Sequence, residues 1–349
     1  MFNLLKNEIY LNLKGMNEMN IMYTLNDGFV PQVGAGIVSV CENNRSIKEI
    51  TFFLISYGIK EKNKKLLKKL VSKYKRNIEI IELKSLDEYF DFDFDTFGWN
   101  PIVLARLLVD QLIPKNINKI LYLDGDTIVR GCLEELWNTK LNDKTFAMSI
   151  EPTVDRKRKC DLGLEKYPYY NAGVILMNLE RFRKINASKI IIDYYREHDG
   201  KLFANDQDAI NASMKDEILT VSPKYNFYNI FYQYPYSFMK KLMDDVPYIE
   251  KDVYLDAVKN PCIIHYLGEE RPWRIGNHHR YRDDYLKYLD MTPWKGMNME
   301  NGWKFYFICW TIFNVVTKPF PNLRYHIINA LIPKFMKHRS KKIKREAKS

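Results

Sequence analysis

The chain has 349 residues, 46% of them apolar and 28% charged, and its 54 Lys and Arg against 43 Asp and Glu give a net charge of +11. That length holds two domains or one large α/β domain with additions, and the composition excludes wholesale disorder and a collagen-like repeat. Five scattered cysteines (Cys41, Cys132, Cys160, Cys262, Cys309) with no CxxC pair exclude a disulfide scaffold, a zinc ribbon and a thioredoxin-type centre, and read as ordinary thiols of a reducing compartment.

Residues 1–20 mix Lys, Glu and Asn where a secretory leader carries an unbroken apolar run, so 1–18 read as an N-terminal extension rather than a signal. Asn20–Leu25 reads as a strand that ends in the turn-prone Asn26-Asp27-Gly28. Val33–Val40 follows as a helix. Ile50–Ser56 is a continuous apolar run of the kind buried on both faces of a sheet. Glu61–Tyr74 is a basic amphipathic helix, Ile78–Leu83 a strand and Ile102–Leu112 a further helix. Lys119–Leu123 is a buried strand running straight into Asp124-Gly125-Asp126. Strands at Thr145–Ile150 and Gly173–Met177 and helices at Leu179–Glu197 and Asp206–Ser213 continue the pattern, and Pro261–Tyr266 is a late strand.

This alternation predicts an α/β fold with a mostly parallel sheet and helices on both faces, its ligands held beyond the carboxyl ends of the strands. Asn26/Asp27 and Asp124/Asp126 both fall there. The Pro-, Gly- and Asn-rich stretch at 290–300 marks a boundary between a catalytic domain, 19–290, and a C-terminal region, 300–349.

That region is aromatic, then basic. Residues 331–349 hold eight Lys and Arg against the single acid Glu346, so most of the net charge sits in the last nineteen residues. Phe305–Thr317 carries no charge but is shorter than the roughly 20 apolar residues that span a bilayer. It suits a helix lying in the membrane interface, with the cations on anionic lipid. The alternative is a helix packed on the core with a solvated tail. No nucleic-acid-binding motif precedes it, so nucleic acid is not an expected partner. The expected location is the cytoplasm, peripheral on the inner face of the cell membrane.

Asp124 and Asp126, at i and i+2 beyond a buried strand, suit a hard divalent cation that also takes substrate phosphates. His265, at the end of another predicted strand, would add a nitrogen donor and favour Mn²⁺ over Mg²⁺. Gly268 permits close backbone approach to a ligand, and Arg271 can neutralise a diphosphate.

In this order the motifs resemble those of retaining glycosyltransferases of family 8, which include bacterial lipopolysaccharide galactosyl- and glucosyltransferases and glycogenin. The resemblance rests on Tyr23-Thr24-Leu25-Asn26-Asp27, Ala105-Arg106-Leu107, Ile120 to Asp126, Tyr170-Asn171-Ala172-Gly173-Val174, Asn205-Asp206-Gln207-Asp208 and His265 to Trp273. It covers residues 19–280. It implies a GT-A fold, a Rossmann-like mixed sheet, here with an α-helical basic and aromatic C-terminal extension. It also implies a UDP-sugar donor, with Mn²⁺ (Mg²⁺ as the second option) on Asp124, Asp126 and His265. Thr24, Asn26 and Asp27 would lie near the uridine. Asp124, Gly125, Asp126, His265, Gly268 and Arg271 would surround the phosphates and metal. Arg106, Asp124, Asn171, Asp206 and Gln207 would hold the sugar, Gln207 and Asp206 being the catalytic pair. Two residues depart from the family pattern: Asn26 stands where Asp is frequent, and Arg271 where Lys is frequent.

The implied reaction moves galactose or glucose from UDP-galactose or UDP-glucose to a saccharide or lipid-linked saccharide of the cell surface. A silent nucleotide-sugar-binding scaffold and a self-glucosylating glycogenin-like enzyme are the alternatives. Three other features are weaker. His278-His279 reads as a solvated face, 90–97 (FDFDFDTF) as a lid or a surface loop, and Tyr225–Phe238 as an acceptor groove or core.

Overall fold

The structure is a computed structural model that describes residues 18–244 and 246–346, the side chains of 335–346 excepted. The N-terminal extension before Glu18 and the basic side chains beyond Lys334 lie outside the described residues.

The strands are β1 (Glu18–Asn26), β2 (Glu49–Tyr57), β3 (Asn77–Glu82), β4 (Lys119–Leu123), β5 (Thr127–Val129), β6 (Phe146–Ile150), β7 (Tyr170–Asn178), β8 (Ile218–Val221) and β9 (Ile263–His265). Seven form one sheet in the order β3-β2-β1-β4-β7-β6-β8, and β5 pairs with β9 in a small second sheet. Within the large sheet β7 runs antiparallel to both its neighbours, and every other pair is parallel. Successive residues point to opposite faces. Met22, Phe53 and Tyr122 enter one core, while Tyr23, Leu54 and Leu121 enter the other. Both faces are buried, which is why these strands are apolar runs without alternation.

A third core lies beneath β5–β9. Phe227, Tyr228, Phe231, Tyr234 and Phe238 fill it with Trp273 and Tyr285. Of the two readings for Tyr225–Phe238, core packing is the one observed for these rings.

Four elements depart from expectation. Ile102–Leu112 is not one α-helix: Pro101–Leu108 is a 3₁₀-helix, and only Val109–Leu112 is α-helical. Nearly all of it is buried, so the sequence shows no polar face from which a helical period can be read. The predicted helix Leu179–Glu197 breaks into Leu179–Lys184 and Ala187–Glu197, because Asn186 adopts left-handed backbone with φ +53°. The 90–97 stretch turns its rings inward. Phe90 is buried, Phe92 and Phe94 pack on the same core, and the Asp95 N–H donates to the Gly200 carbonyl at 3.0 Å. His279, expected on a solvated face, is buried at 4% exposure, whereas His278 is exposed.

His279 Nδ1 accepts the Tyr281 N–H at 3.1 Å, leaving the ring proton on Nε2. Burial pushes its pKa down to about 3. The unfolded chain takes up this proton near the ordinary histidine value and the folded chain does not, so stability falls as pH drops through that interval. We expect the melting temperature of wild type to fall more than that of His279→Gln between pH 7 and pH 5. Equal falls in scanning calorimetry would remove His279 as a source of acid lability.

Candidate functional site

A cavity of about 400 Å³ opens at the carboxyl ends of β1, β4 and β6. Antiparallel β7 brings its amino end to the same place. Its pairing with β6 jumps from Met148↔Ile175 to Ser149↔Asn171, so residues 172–174 bulge away from β6. Val174 stays paired with Leu123 of β4. A bulge of this kind frees backbone groups from the ladder. The Ala172 N–H donates to Gln207 Oε1 at 2.9 Å, and its carbonyl accepts Arg106 Nη1 at 2.6 Å.

Arg106 sits at the floor, 5% exposed. Its Nη2 lies 3.0 Å from Asp124 Oδ1, its Nε 3.0 Å from Asp206 Oδ2, and its Cζ 4.3 Å from the centre of the Tyr122 ring. In a 3₁₀-helix residues i and i+3 eclipse, so Arg106 Nε also donates to the Val103 carbonyl at 3.0 Å. Burial pushes the Asp206 carboxyl up to about 6 against the pull of Arg106. Tyr122 donates its hydroxyl to Asp124 Oδ1 at 2.6 Å, and the Thr24 hydroxyl stands 3.1 Å from Tyr122 Oη.

Asp124, Asp126 and His265 each present a ligand atom within 4.8 Å of the others. His265 Nε2 is 3.4 Å from Asp126 Oδ1 and 3.7 Å from Asp124 Oδ2. Its other nitrogen is committed. Nδ1 donates to Asn226 Oδ1 at 2.9 Å, Asn226 Nδ2 donates to Asn171 Oδ1 at 2.8 Å, and that oxygen also accepts the Gly173 N–H at 2.9 Å. This chain fixes the tautomer and turns the Nε2 lone pair toward the carboxylates, the arrangement that metal-ligating histidines use. Burial disfavours charge on His265, but Asp126 and Asp124 outweigh it and raise its pKa. Burial likewise acts on Asp126, and His265 and Arg271 outweigh it and lower that pKa. Two acids and one oriented imidazole fit a divalent cation, and the nitrogen donor suits Mn²⁺.

Thr24, Asn26, Gly125, Asn171, Gln207 and Gly268 line the cavity together with Arg271. Gly268 has φ +81°. Arg271 Nη2 lies 3.9 Å from Asp126 Oδ2. Asn26 Oδ1 accepts the Phe29 N–H at 3.2 Å. Asp27 turns outward: its Oδ1 accepts Lys60 N–H at 2.9 Å and Asn63 Nδ2 at 2.7 Å, and these partners outweigh burial and hold its carboxyl below the ordinary range. Gln207 Nε2 donates to Glu151 Oε2 and to Tyr169 Oη, each at 3.1 Å.

Sequence reasoning missed Glu151 and Asn226. Glu151 directly follows β6, the strand-end position that singled out Asp124, and it accepts Asn171 Nδ2 at 2.9 Å. Asn226 is a fully buried amide inside an aromatic run, and that contrast was its signal.

Gly173 has a specific requirement. A Cβ there would lie 2.2 Å from His265 Cε1 and 2.6 Å from Nδ1. Gly173→Ala must therefore expel the imidazole, and we expect Mn²⁺ affinity to fall by at least about tenfold, as for loss of a ligand's support. Calorimetric titration of Mn²⁺ checks this; unchanged affinity would remove His265 from the metal site.

The pattern of Glycosyl transferase family 8 matches residues 20–275. The chain is 26% identical over 280 residues to General stress protein A of Bacillus subtilis, covering 79% of this chain and 94% of that protein. It is 25% identical over 296 residues to lipopolysaccharide glucosyltransferase WaaO of Escherichia coli, covering 79% of each. The crystal structure of galactosyltransferase LgtC with donor and acceptor sugar analogues superposes with a TM-score of 0.68 at 24% identity, over 80% of this chain and 99% of that one. That superposition makes the fold GT-A. With the family pattern spanning the sheet, the Asp124–Asp126–His265 trio and the Arg106 cluster, the chain belongs to glycosyltransferase family 8 and is a hexosyltransferase.

Proposed function

We propose that the chain moves galactose or glucose from a UDP-sugar to a saccharide acceptor of a cell-surface glycan or glycolipid, retaining the anomeric configuration. One observation carries this reading. The Asp124–Asp126–His265 trio and the Arg106–Asp206–Gln207 group line the same cavity, one suited to a cation with a diphosphate and the other to a sugar. The relatives WaaO and lipopolysaccharide 1,3-galactosyltransferase of Salmonella typhimurium are named for such transfers.

A Mn²⁺ ion held by Asp124, Asp126 and His265 would supply electrostatic stabilisation of the departing diphosphate. The chain's own residues do the rest. Arg271 neutralises phosphate charge from the opposite side of Asp126. Asp206 and Gln207 face the sugar and support positive charge at its anomeric carbon. The Gln207 amide is already engaged through Oε1 and Nε2 by Ala172, Glu151 and Tyr169, which suits positioning better than nucleophilic attack. The acceptor oxygen therefore bonds the anomeric carbon on the face that UDP leaves, and its proton passes to the departing phosphate oxygen.

We also read residues 19–290 as the catalytic unit and 300–349 as a membrane-associating region, which places the protein at the inner face of the cell membrane. No helix among the described residues is long and apolar enough to cross a bilayer. The helix Lys304–Thr317 turns Phe305, Ile308, Ile312, Val315 and Val316 to solvent, each more than half exposed. Their i, i+3, i+7, i+10, i+11 spacing makes one stripe. With the basic sequence of residues 331–349 following along the chain, the stripe suits anionic lipid.

Two outcomes test these readings. UDP release from UDP-galactose or UDP-glucose is expected with Mn²⁺, and is expected to vanish with EDTA and in Asp126→Ala. Metal-independent release would overturn the proposed chemistry. Ile308→Glu with Ile312→Glu is expected to lower partitioning onto phosphatidylserine-containing vesicles by about tenfold or more. Unchanged partitioning in a sedimentation assay would exclude this stripe as the docking face.

A further inference from the structure

The loop 267–272 follows β9 and contributes Leu267, Gly268 and Arg271 to the cavity, yet it belongs to no helix or strand. Two bonds of its own hold it: Arg271 Nε donates to the Gly268 carbonyl at 3.2 Å and the Arg271 N–H to the Glu269 carbonyl at 2.8 Å. Its outer side is held by residues far along the chain. Arg274, nearly buried, pairs with Glu269 and donates to Glu300 Oε2 at 2.8 Å, and its Cζ lies 3.6 Å from the centre of the Trp303 ring. Gly276 meets the start of the helix Lys304–Thr317 so closely that a Cβ would lie 3.0 Å from Lys304 Cα.

Glu270 is the second point of attachment. It accepts a hydrogen bond from Asn229 Nδ2 and stands beside Trp310 of the helix Lys304–Thr317. Arg324, on the helix Pro321–Glu346, reaches the same segment through Gln233, four residues beyond Asn229. This arginine is only 2% exposed. Its Nη1 donates to Thr317 Oγ1 at 3.0 Å and its Nη2 to Gln233 Oε1 at 2.9 Å. Its Cζ lies 5.5 Å from the centre of the Trp310 ring and 5.1 Å from that of Phe313. One guanidinium thus ties both C-terminal helices to the segment carrying Asn229 and Gln233, where Glu270 is also anchored. A buried charge is costly unless its partners are fixed, so this knot sets geometry. About two turns further along the same helix, Ile332 becomes a wall of the cavity.

We propose that the two C-terminal helices are part of the donor site: Arg324 and Trp310 position the diphosphate-contacting loop 267–272 through Glu270, and Ile332 closes the cavity. Arg324 and Glu270 are positioning residues that act through Arg271 and Gly268. The inference rests on the nucleotide-sugar reading above and deepens it.

The test uses the full chain with UDP and Mn²⁺ as the probe in calorimetry, and UDP release from the sugar nucleotide for steady-state constants. Arg324→Gln is expected to weaken UDP binding by about tenfold and to raise donor KM by a similar factor, with kcat within about twofold. Arg324→Lys should recover part of the loss, because it keeps the charge without the planar fork. Glu270→Gln keeps the side-chain volume and covers the case in which Arg324→Gln does not fold; it is expected to show the same KM effect. The double variant should be no worse than either single one, since both cut one link. Folded variants that bind UDP like wild type, or that lose kcat at constant KM, would overturn the positioning role while leaving the UDP-sugar reading intact. Wild type that fails to bind UDP with Mn²⁺ would overturn both.

Discussion

Arg106 is the constraint on which the site depends. A guanidinium this deeply buried would cost several kcal/mol if any part were left unpaired. It is satisfied on all sides by Asp124, Asp206, the carbonyls of Val103 and Ala172, and the face of Tyr122. Those five partners come from the 3₁₀-helix, the end of β4, the β7 bulge and the helix Asn205–Ser213. Satisfying one cation therefore fixes the relative placement of four elements. Because the pairing spends one carboxylate oxygen of Asp124 on Arg106, the other is left facing His265.

Around that charged centre lies a relay built mostly of amides. The Gly173 N–H, Asn171, Asn226 and His265 are connected by hydrogen bonds, and Glu151 joins Asn171 to Gln207. Amides orient neighbours without adding net charge, so Asn171 and Asn226 aim the imidazole, while the Glu151 carboxylate aims Gln207. The bulge in β7 is what makes this affordable in hydrogen bonds, since it supplies Ala172 backbone groups that an unbroken ladder would have used.

Much of this was legible in the sequence for a simple reason. Strands buried on both faces are apolar runs, and an acid directly after such a run stands out; Asp124 and Asp126 follow β4 in this way. The same signal at Glu151 was passed over. The 3₁₀ geometry of Pro101–Leu108 left no pattern because most of its side chains are buried, Arg106 among them, so no solvent-facing side marks its period. The β7 bulge was hidden because its extra residues are as apolar or small as the strand itself. His279 was misplaced because its neighbours Arg280, Arg282 and Asp283 are polar, while its ring turns under Tyr266 and Tyr281. Ile332 could not be assigned to the cavity from sequence, since only tertiary packing brings a residue sixty positions beyond Pro272 back to Asp124.

The C-terminal helices carry different chemistry on their two sides. Inward, Phe307 and Arg324 are buried and Ile332 reaches the cavity; outward, Phe305, Ile308, Ile312 and Val316 face solvent. Shortening the chain ahead of residue 304 to make it easier to handle would remove both sides at once. It would take Arg324 from the face of Tyr234 and Tyr325 from Phe238, and open one wall of the cavity to water. If the outward stripe docks on a membrane as proposed, adhesion and catalysis share one support, and only substitutions on that stripe separate them.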